Sequence, residues 1–207
     1  GRMGRALVGE ILAAGSRIAG GSEVPGSPLL GQDVGTLAGV GSLGLKVVAD
    51  PASVFQASDV VLDFTLAAAS TAHAKLAAET GRALVLGTTG LDRAQGDAVR
   101  AAAKRAPILW AANFSLGVNL LLSLVEDAAR RLGEDYDIEV LEMHHRHKVD
   151  APSGTALALG EAAARGRGID LAGRSQRVRD GHTGARKVGD IGFATLRGGD
   201  VAGEHSV

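Results

Sequence analysis

The 207-residue chain contains no cysteine, which excludes disulfides and thiolate metal sites and suits a cytoplasmic protein. It has no stretch approaching the ~20 consecutive apolar residues that a membrane-spanning helix requires. Nor does one sign of charge dominate: 22 basic against 23 acidic residues give a formal net charge of −1, with no global pull toward nucleic acid or an anionic membrane. Charged residues make up 22% and apolar residues 45%, which argues against a disordered polyelectrolyte and allows one large domain or two small ones. Internal repeats and low-complexity tracts are absent. What is abundant is glycine. There are 30, roughly twice the usual share, without a G-x-y period, so they point to tight turns rather than collagen. The chain opens at Gly1 without a methionine or secretory leader and stops at Glu204-His205-Ser206-Val207 in a strand-like stretch. It is therefore expected to be part of a longer protein.

Apolar periodicity then sets the order of elements. Met3, Leu7, Val8, Ile11 and Leu12 recur at helical spacing before a stop at Gly15. Short strands are expected at Arg17–Gly21 and Lys46–Ala49, separated by a Gly/Ser/Pro-rich connection from Ser22 to Gly44. Asp50-Pro51 opens a short helix, with a capping carboxylate followed by proline at N1. The run Asp59–Phe64 reads as a strand buried on both faces. Strand and helix then alternate: helix 67–80, strand 83–86, helix 92–105 and strand 107–111. That repetition implies a parallel sheet with helices on both faces. After an apolar helix over 115–132 the texture changes to a strand at 136–143, a helix at 153–165 and a strand at 191–196. The fold class expected is α/β: a Rossmann-like doubly wound parallel sheet over residues 1–114, followed by an α+β domain with a mixed sheet over 115–207.

Three places can hold chemistry. Gly1, Arg2, Met3 and Gly4 at the start of a helix match the tail of a dinucleotide fingerprint, where small residues let a pyrophosphate approach backbone N–H groups. Glu23 lies 19 residues beyond Gly4, about where an acid binds the adenosine ribose. Each has a plainer reading, a helix cap and a solvated loop acid. Gly87-Thr88-Thr89 and Ala111-Ala112-Asn113-Phe114 fall at the carboxyl ends of strands, where open parallel sheets bind ligands, though turns use the same residue types. The densest constellation runs from Glu142 to Thr155 (EMHHRHKVDAPSGT). Three of the six histidines, an arginine and a lysine fall within five residues beside a helix start, where Ser153, Gly154 and Thr155 can aim N–H groups at a carboxylate. Histidine and a lysine of lowered pKa can supply protons near neutrality. A metal site is disfavoured, because thiolates and an H-E-x-x-H pattern are absent and Arg146 and Lys148 repel a cation.

The run from Glu142 to Thr155 closely resembles the signature of bacterial dihydrodipicolinate reductases. The resemblance extends through Gly1–Arg5, Leu29–Gly31, Asp63–Thr65, Gly87–Gly90, Ala111–Ser115, Gly181–Gly184, Ile191–Ala194 and Gly203–His205. It implies a cytoplasmic homotetramer, built through the sheets of the second domain, that reduces a small dicarboxylate to tetrahydrodipicolinate with NADH or NADPH on the diaminopimelate route to lysine. Position by position, it implies that His144 is the acid/base residue and Lys148 the proton donor, with His145, Gly154 and Thr155 on the substrate carboxylates. Gly1, Arg2, Met3, Glu23, Gly87, Thr88, Thr89, Ala111, Ala112, Asn113 and Phe114 would line the cofactor site. Three features depart from the family pattern: the first strand and leading glycines of the fingerprint are missing, so is everything after Val207, and Val24 stands where members that grip a 2′-phosphate often carry arginine, which favours NADH. The alternatives left open are another Rossmann oxidoreductase acting on a small carboxylate, a catalytically inactive dinucleotide-binding protein, and a metal-dependent hydrolase.

Overall fold

A computed structural model describes residues 1–207, which fall into two compact units, Gly1–Ala111 and Ala112–Val207. The first unit holds helices α1 (Arg2–Ala13), α2 (Val34–Ala38), α3 (Pro51–Ala57), α4 (Ala67–Thr80) and α5 (Arg93–Ala102). Its strands β1 (Val60–Asp63), β2 (Ala83–Leu86) and β3 (Ile108–Trp110) form a parallel sheet in that order, with Leu84 opposite both Val61 and Ile108. Local chemistry sets the helix ends. Asp50 caps α3 by accepting from Ala52 N at 2.9 Å, with Pro51 at the first helical position where its missing N–H costs nothing. Asp92 and Gln95 form a reciprocal capping box on α5, and Gly81 ends α4 in the left-handed conformation at φ 67°. Phe55, Ala74, Ala77, Leu84, Leu86 and Val99 close the core between helices and sheet.

Three local expectations change. The segments around 17–21 and 46–49 form no ladder. They meet through a single parallel bridge, Ser22 to Val48, flanked by Glu23 N donating to Val48 O and Val48 N to Gly21 O, both at 3.0 Å. Gly20 and Gly21 offer no side chains to a pleated surface, and their backbones instead pack against Val54 and Val34. The stretch from Ser22 to Gly44 contains the short helix α2, because Asp33 accepts from Thr36 N, Leu43 N and Leu45 N and gathers the turn around one carboxylate. β1 covers Val60–Asp63 of the expected 59–64 run, with Val60 50% exposed and Asp63 buried.

The second unit contains α6 (Leu116–Leu132), β4 (Ile138–His144), α7 (Gly154–Arg167), α8 (Leu171–Arg174), β5 (Ser175–Gln176), β6 (Ile191–Arg197) and β7 (Glu204–Ser206). Its sheet runs β5-β6-β4-β7, parallel except for antiparallel β7, so it is mixed as expected. The alternation of β4 sends Val140, Glu142 and His144 to the buried face and Glu139 and Leu141 to the other. Val140 joins Leu159, Ala162, Ala163, Ile191 and Phe193 in the core. Helices α6 and α7 approach closely, since a side chain on Gly166 would collide with the Glu126 carbonyl. Likewise a Cβ at Gly160 would enter the Phe193 ring. On the opposite face, a Cβ at Gly192 would overlap the Glu139 carboxylate, which receives Arg179 and Arg186.

Candidate active site

The last turn of chemistry on β4 is fixed by strand periodicity. Glu142 and His144 are two residues apart, so both side chains leave the same face. Glu142 is 1% exposed, and its carboxylate accepts four hydrogen bonds. Oε1 receives Ser153 N at 3.0 Å and one Arg197 nitrogen at 2.8 Å. Oε2 lies 2.5 Å from His144 Nδ1 and 2.7 Å from the other Arg197 nitrogen. Burial by itself raises a carboxyl pKa, but the Arg197 fork, His144 and the Ser153 amide outweigh it and hold Glu142 down at about 2. Arg197 reaches this position because β6 runs parallel to β4 with Arg197 opposite His144. The same guanidinium also donates to the Asp150 carbonyl at 2.7 Å, pinning the loop that follows β4.

In that loop Lys148 Nζ lies 2.7 Å from Asp150 Oδ1, a contact that holds the Asp150 carboxyl below the usual carboxylate range. His145 is tied by its backbone N–H to Val201 O at 2.7 Å, and its Nδ1 accepts from His147 N at 3.2 Å. An Ala151–Pro152 cis peptide leads to Ser153, the N-cap of α7. Here one expectation is corrected in part: the Ser153 N–H is not available to an outside anion, because Glu142 already holds it. Ser153 Oγ takes Ala156 N at 3.1 Å and the Ser153 carbonyl takes Leu157 N at 2.9 Å. Gly154 and Thr155 thus occupy the first helical turn, whose N–H groups have no internal carbonyl to bind. A Cβ at Gly154 would meet nothing within 4 Å. Thr155 Oγ1 lies 3.5 Å from Asn113 Nδ2, so a residue expected to touch the cofactor and one expected to touch the substrate are neighbours.

The strand β7 completes the enclosure. His205 Nε2 is 2.8 Å from Ser153 Oγ, and its ring stands edge-on to His144 at 5.1 Å. Burial pushes the His205 pKa down, and the charges of His144 and Lys148 push the same way. Glu142, Arg197 and His205 are the functional neighbours that motif reasoning left without a role. The i, i+2 spacing of Glu142 and His144 was a readable signal; Arg197 and His205, 55 and 63 positions from Glu142, carried none. No group of three or more His, Asp or Glu side chains is arranged to hold a metal ion.

In the first unit the expected cofactor residues form two groups. Gly1 N lies 3.1 Å from Glu23 Oε1, which sets the start of α1 beside the acid, and Arg2 and Met3 follow on the exposed first turn. Neither Gly1 nor Gly4 has an atom within 4 Å of where a Cβ would stand, so the turn is open to a phosphate. At the ends of the strands, Gly87 packs so tightly on the Phe64 ring that no side chain fits. Thr88 Oγ1 is 3.4 Å from Thr65 O, Trp110 Nε1 is 3.3 Å from Thr88 O, and Ala111 N donates to Leu86 O at 3.2 Å. Behind them the buried Asp63 accepts from Thr65 N at 2.8 Å and pairs with His73 Nδ1 at 2.8 Å. Thr89 is exposed beside this group, while Ala112, Asn113 and Phe114 belong to the second unit.

Comparison with known proteins agrees with this layout. The family model described as dihydrodipicolinate reductase, N-terminus, matches residues 1–114, and the one described as dihydrodipicolinate reductase, C-terminus, matches residues 117–207. The 4-hydroxy-tetrahydrodipicolinate reductase of Brucella melitensis is 57% identical, with 100% of this chain and 78% of that protein covered. The reductase of the same name from Bradyrhizobium sp. is 54% identical, with 100% and 76% covered. Among solved structures, dipicolinate-bound dihydrodipicolinate reductase from Paenisporosarcina sp. TG-14 shares the fold with a TM-score of 0.59 at 22% identity, covering 89% of this chain and 71% of that one. An amine dehydrogenase from Mycobacterium smegmatis shares it at a TM-score of 0.55 and 16% identity.

Proposed function

Since the chain belongs to the dihydrodipicolinate reductase family, we propose that it reduces 4-hydroxy-tetrahydrodipicolinate to tetrahydrodipicolinate with a nicotinamide dinucleotide, in the diaminopimelate route to lysine. Dinucleotide binding is assigned to residues 1–114 and substrate binding to 115–207. The observation that supports the site assignment most directly is His144 held at the end of β4 by a buried carboxylate, beside a lysine-bearing loop and an open helix N-terminus. When bound, the dinucleotide supplies the hydride. The chain supplies what a dianionic ring needs besides. The His145 ring, Thr155 and the first-turn N–H groups at Gly154 and Thr155 hold the two carboxylates. Lys148 and His144 deliver the proton that balances the hydride, and the 4-hydroxyl departs as water.

On the cofactor side, Gly1, Arg2 and Met3 meet the pyrophosphate and Glu23 the adenosine ribose. Gly87, Thr88, Thr89 and Ala111, Ala112, Asn113 and Phe114 line the nicotinamide end. Val24, 63% exposed beside Glu23, offers no donor to a 2′-phosphate, which supports NADH over NADPH. The same reading makes the protein a cytoplasmic homotetramer whose partner is the small dicarboxylate, acting without nucleic acid or membrane. No helix is long and apolar enough to cross a membrane. The open face of the second sheet supports association: Leu141 and Leu196 are 42% and 49% exposed there.

The test is the full-length protein supplied with freshly condensed aspartate semialdehyde and pyruvate, followed by loss of NADH absorbance. Oxidation that depends on the condensed precursor is expected. Binding of NADH without any precursor-dependent oxidation would favour an inactive dinucleotide-binding protein instead.

A further inference from the structure

Glu142 has a chemistry that the reduction itself does not explain. This carboxyl group, 1% exposed, has its acceptor positions filled: two by the Arg197 fork, one by Ser153 N and one by His144 Nδ1. An ionised carboxylate can only accept. His144 Nδ1, 2.5 Å away, must therefore carry the hydrogen of that contact, and Nε2 is left as the one ring nitrogen that can gain or release a proton. Nε2 lies beside the backbone just before β7, where a Cβ on Gly203 would come within 2.9 Å of it.

We propose that Glu142 is the positioning residue of this site, holding His144 as the Nδ1–H tautomer so that Nε2 exchanges the proton with substrate, and that Gly203 keeps Nε2 uncovered. The proposal rests on the acid/base role given to His144 above. In the step itself, the Nε2–H bond breaks as the proton passes to the substrate, and the electron pair stays on Nε2. The Nδ1–H remains on Glu142 throughout, and solvent returns a proton to Nε2. The carboxylate stabilises the imidazolium between turnovers. Arg197 on β6 neutralises that carboxylate's charge and prevents it from taking the proton outright. The other charged or titratable groups beside the ring are His205 on β7, at 5.1 Å, and Arg197, which shares Glu142 Oε2 with it; Lys148 and Asp150 pair with each other in the loop that follows β4. Arg197 carries a positive charge that opposes an imidazolium, and Glu142 is the anion in direct contact with the ring that favours it.

The experiment is ¹⁵N NMR of the histidine rings in the full-length enzyme, with steady-state kinetics across pH on Glu142→Gln and Glu142→Asp. In the wild type, the neutral His144 ring is expected as the Nδ1–H tautomer. In Glu142→Gln, Arg197 claims the amide oxygen, the amide NH2 faces Nδ1 and the ring switches to Nε2–H. kcat then falls between about 10²- and 10⁴-fold, the scale of lost general acid catalysis and of a wrongly held histidine, while KM for the dinucleotide is unchanged. The kcat/KM profile across pH changes with it, because the ring nitrogen that meets the substrate now carries the hydrogen. Glu142→Asp, which keeps the charge, recovers part of the rate and restores the wild-type profile. A wild-type Nε2–H tautomer overturns the proposal without any variant needing to fold, and so does a Glu142→Gln enzyme with an unmoved pH profile. Normal turnover by His144→Gln overturns the reading on which the proposal stands.

Discussion

At the scale of single residues, the site separates groups that act from groups that hold. His144→Gln and Lys148→Ala should each lower kcat by about 10²–10⁴-fold, because each removes a group proposed to transfer the proton. Dinucleotide affinity should stay near normal, since neither residue is among those at Glu23 or Gly87. Stopped-flow turnover and NADH titration by fluorescence check both halves; near-normal kcat in both variants would remove the role assignment. Cofactor choice is also decided by one or two side chains. In the proposed site Glu23, with Val24 beside it, would accept ribose hydroxyls and repel a phosphate. We expect NADH to be preferred by about tenfold in kcat/KM, equivalent to about 1.4 kcal/mol. Val24→Arg should move the preference toward NADPH, more strongly at low salt where the new charge is less screened. Equal use of both cofactors by the wild type would point to Arg2 or Arg5 as the phosphate partner.

At the scale of elements, the start of α7 is the feature to probe. Ser153 is committed internally, to Glu142 through its N–H and to Ala156 through its hydroxyl. Gly154 is not: nothing in the fold occupies the space of its missing Cβ. Gly154→Val is therefore expected to raise KM for the ring substrate by about tenfold or more, with little change in Tm or in NADH binding. A fallen Tm with unchanged KM would mean that the glycine shapes the turn and nothing else. The helix ends elsewhere show how much local chemistry can be read directly. The Asp50-Pro51 start of α3 and the stop of α4 at Gly81 are legible because a cap needs only neighbours in sequence. The missing ladders at 17–21 and 46–49 were not legible. Their apolar runs satisfy the strand pattern, yet they meet through one bridge, with Gly20 and Gly21 set against Val54 and Val34.

At the scale of the whole molecule, buried carboxylates set the response to acid. Glu142 titrates near 2 in the folded protein against an ordinary 4.5, so its contribution to stability is complete above about 4.5 and is lost as pH falls toward 2. Asp63 shifts in the same direction: burial opposes it, but His73 and Thr65 prevail. His205, also lowered, binds protons more readily unfolded than folded, so it begins to cost stability below its ordinary value of 6.5. Urea midpoints should accordingly decline gently below pH 6.5 and steeply below 4.5. Glu142→Gln should flatten the steep limb, and a midpoint constant from pH 7 to 3 would contradict the account. Association is testable on the same protein. Light scattering should give four times the chain mass, and Leu141→Glu with Leu196→Glu should lower it while preserving circular dichroism. A wild type that remains monomeric at micromolar concentration would leave the open sheet face without a partner.

The sequence alone determined the elements and the family. Periods of 2 and 3.6, helix caps and a run of fourteen residues from Glu142 to Thr155 are local properties, and local properties survive in a one-dimensional record. It placed His144, Lys148, Gly154 and Thr155 in one segment for the same reason. Only the tertiary structure decided what surrounds them. Arg197 meets Glu142 because two parallel strands align His144 with Arg197 in register, and His205 meets Ser153 because β7 returns antiparallel to β4. Register is a property of two strands together, set by which faces find a core. No spacing within either strand records it, so the carboxylate and guanidinium that hold the histidine became visible only when the sheet was assembled.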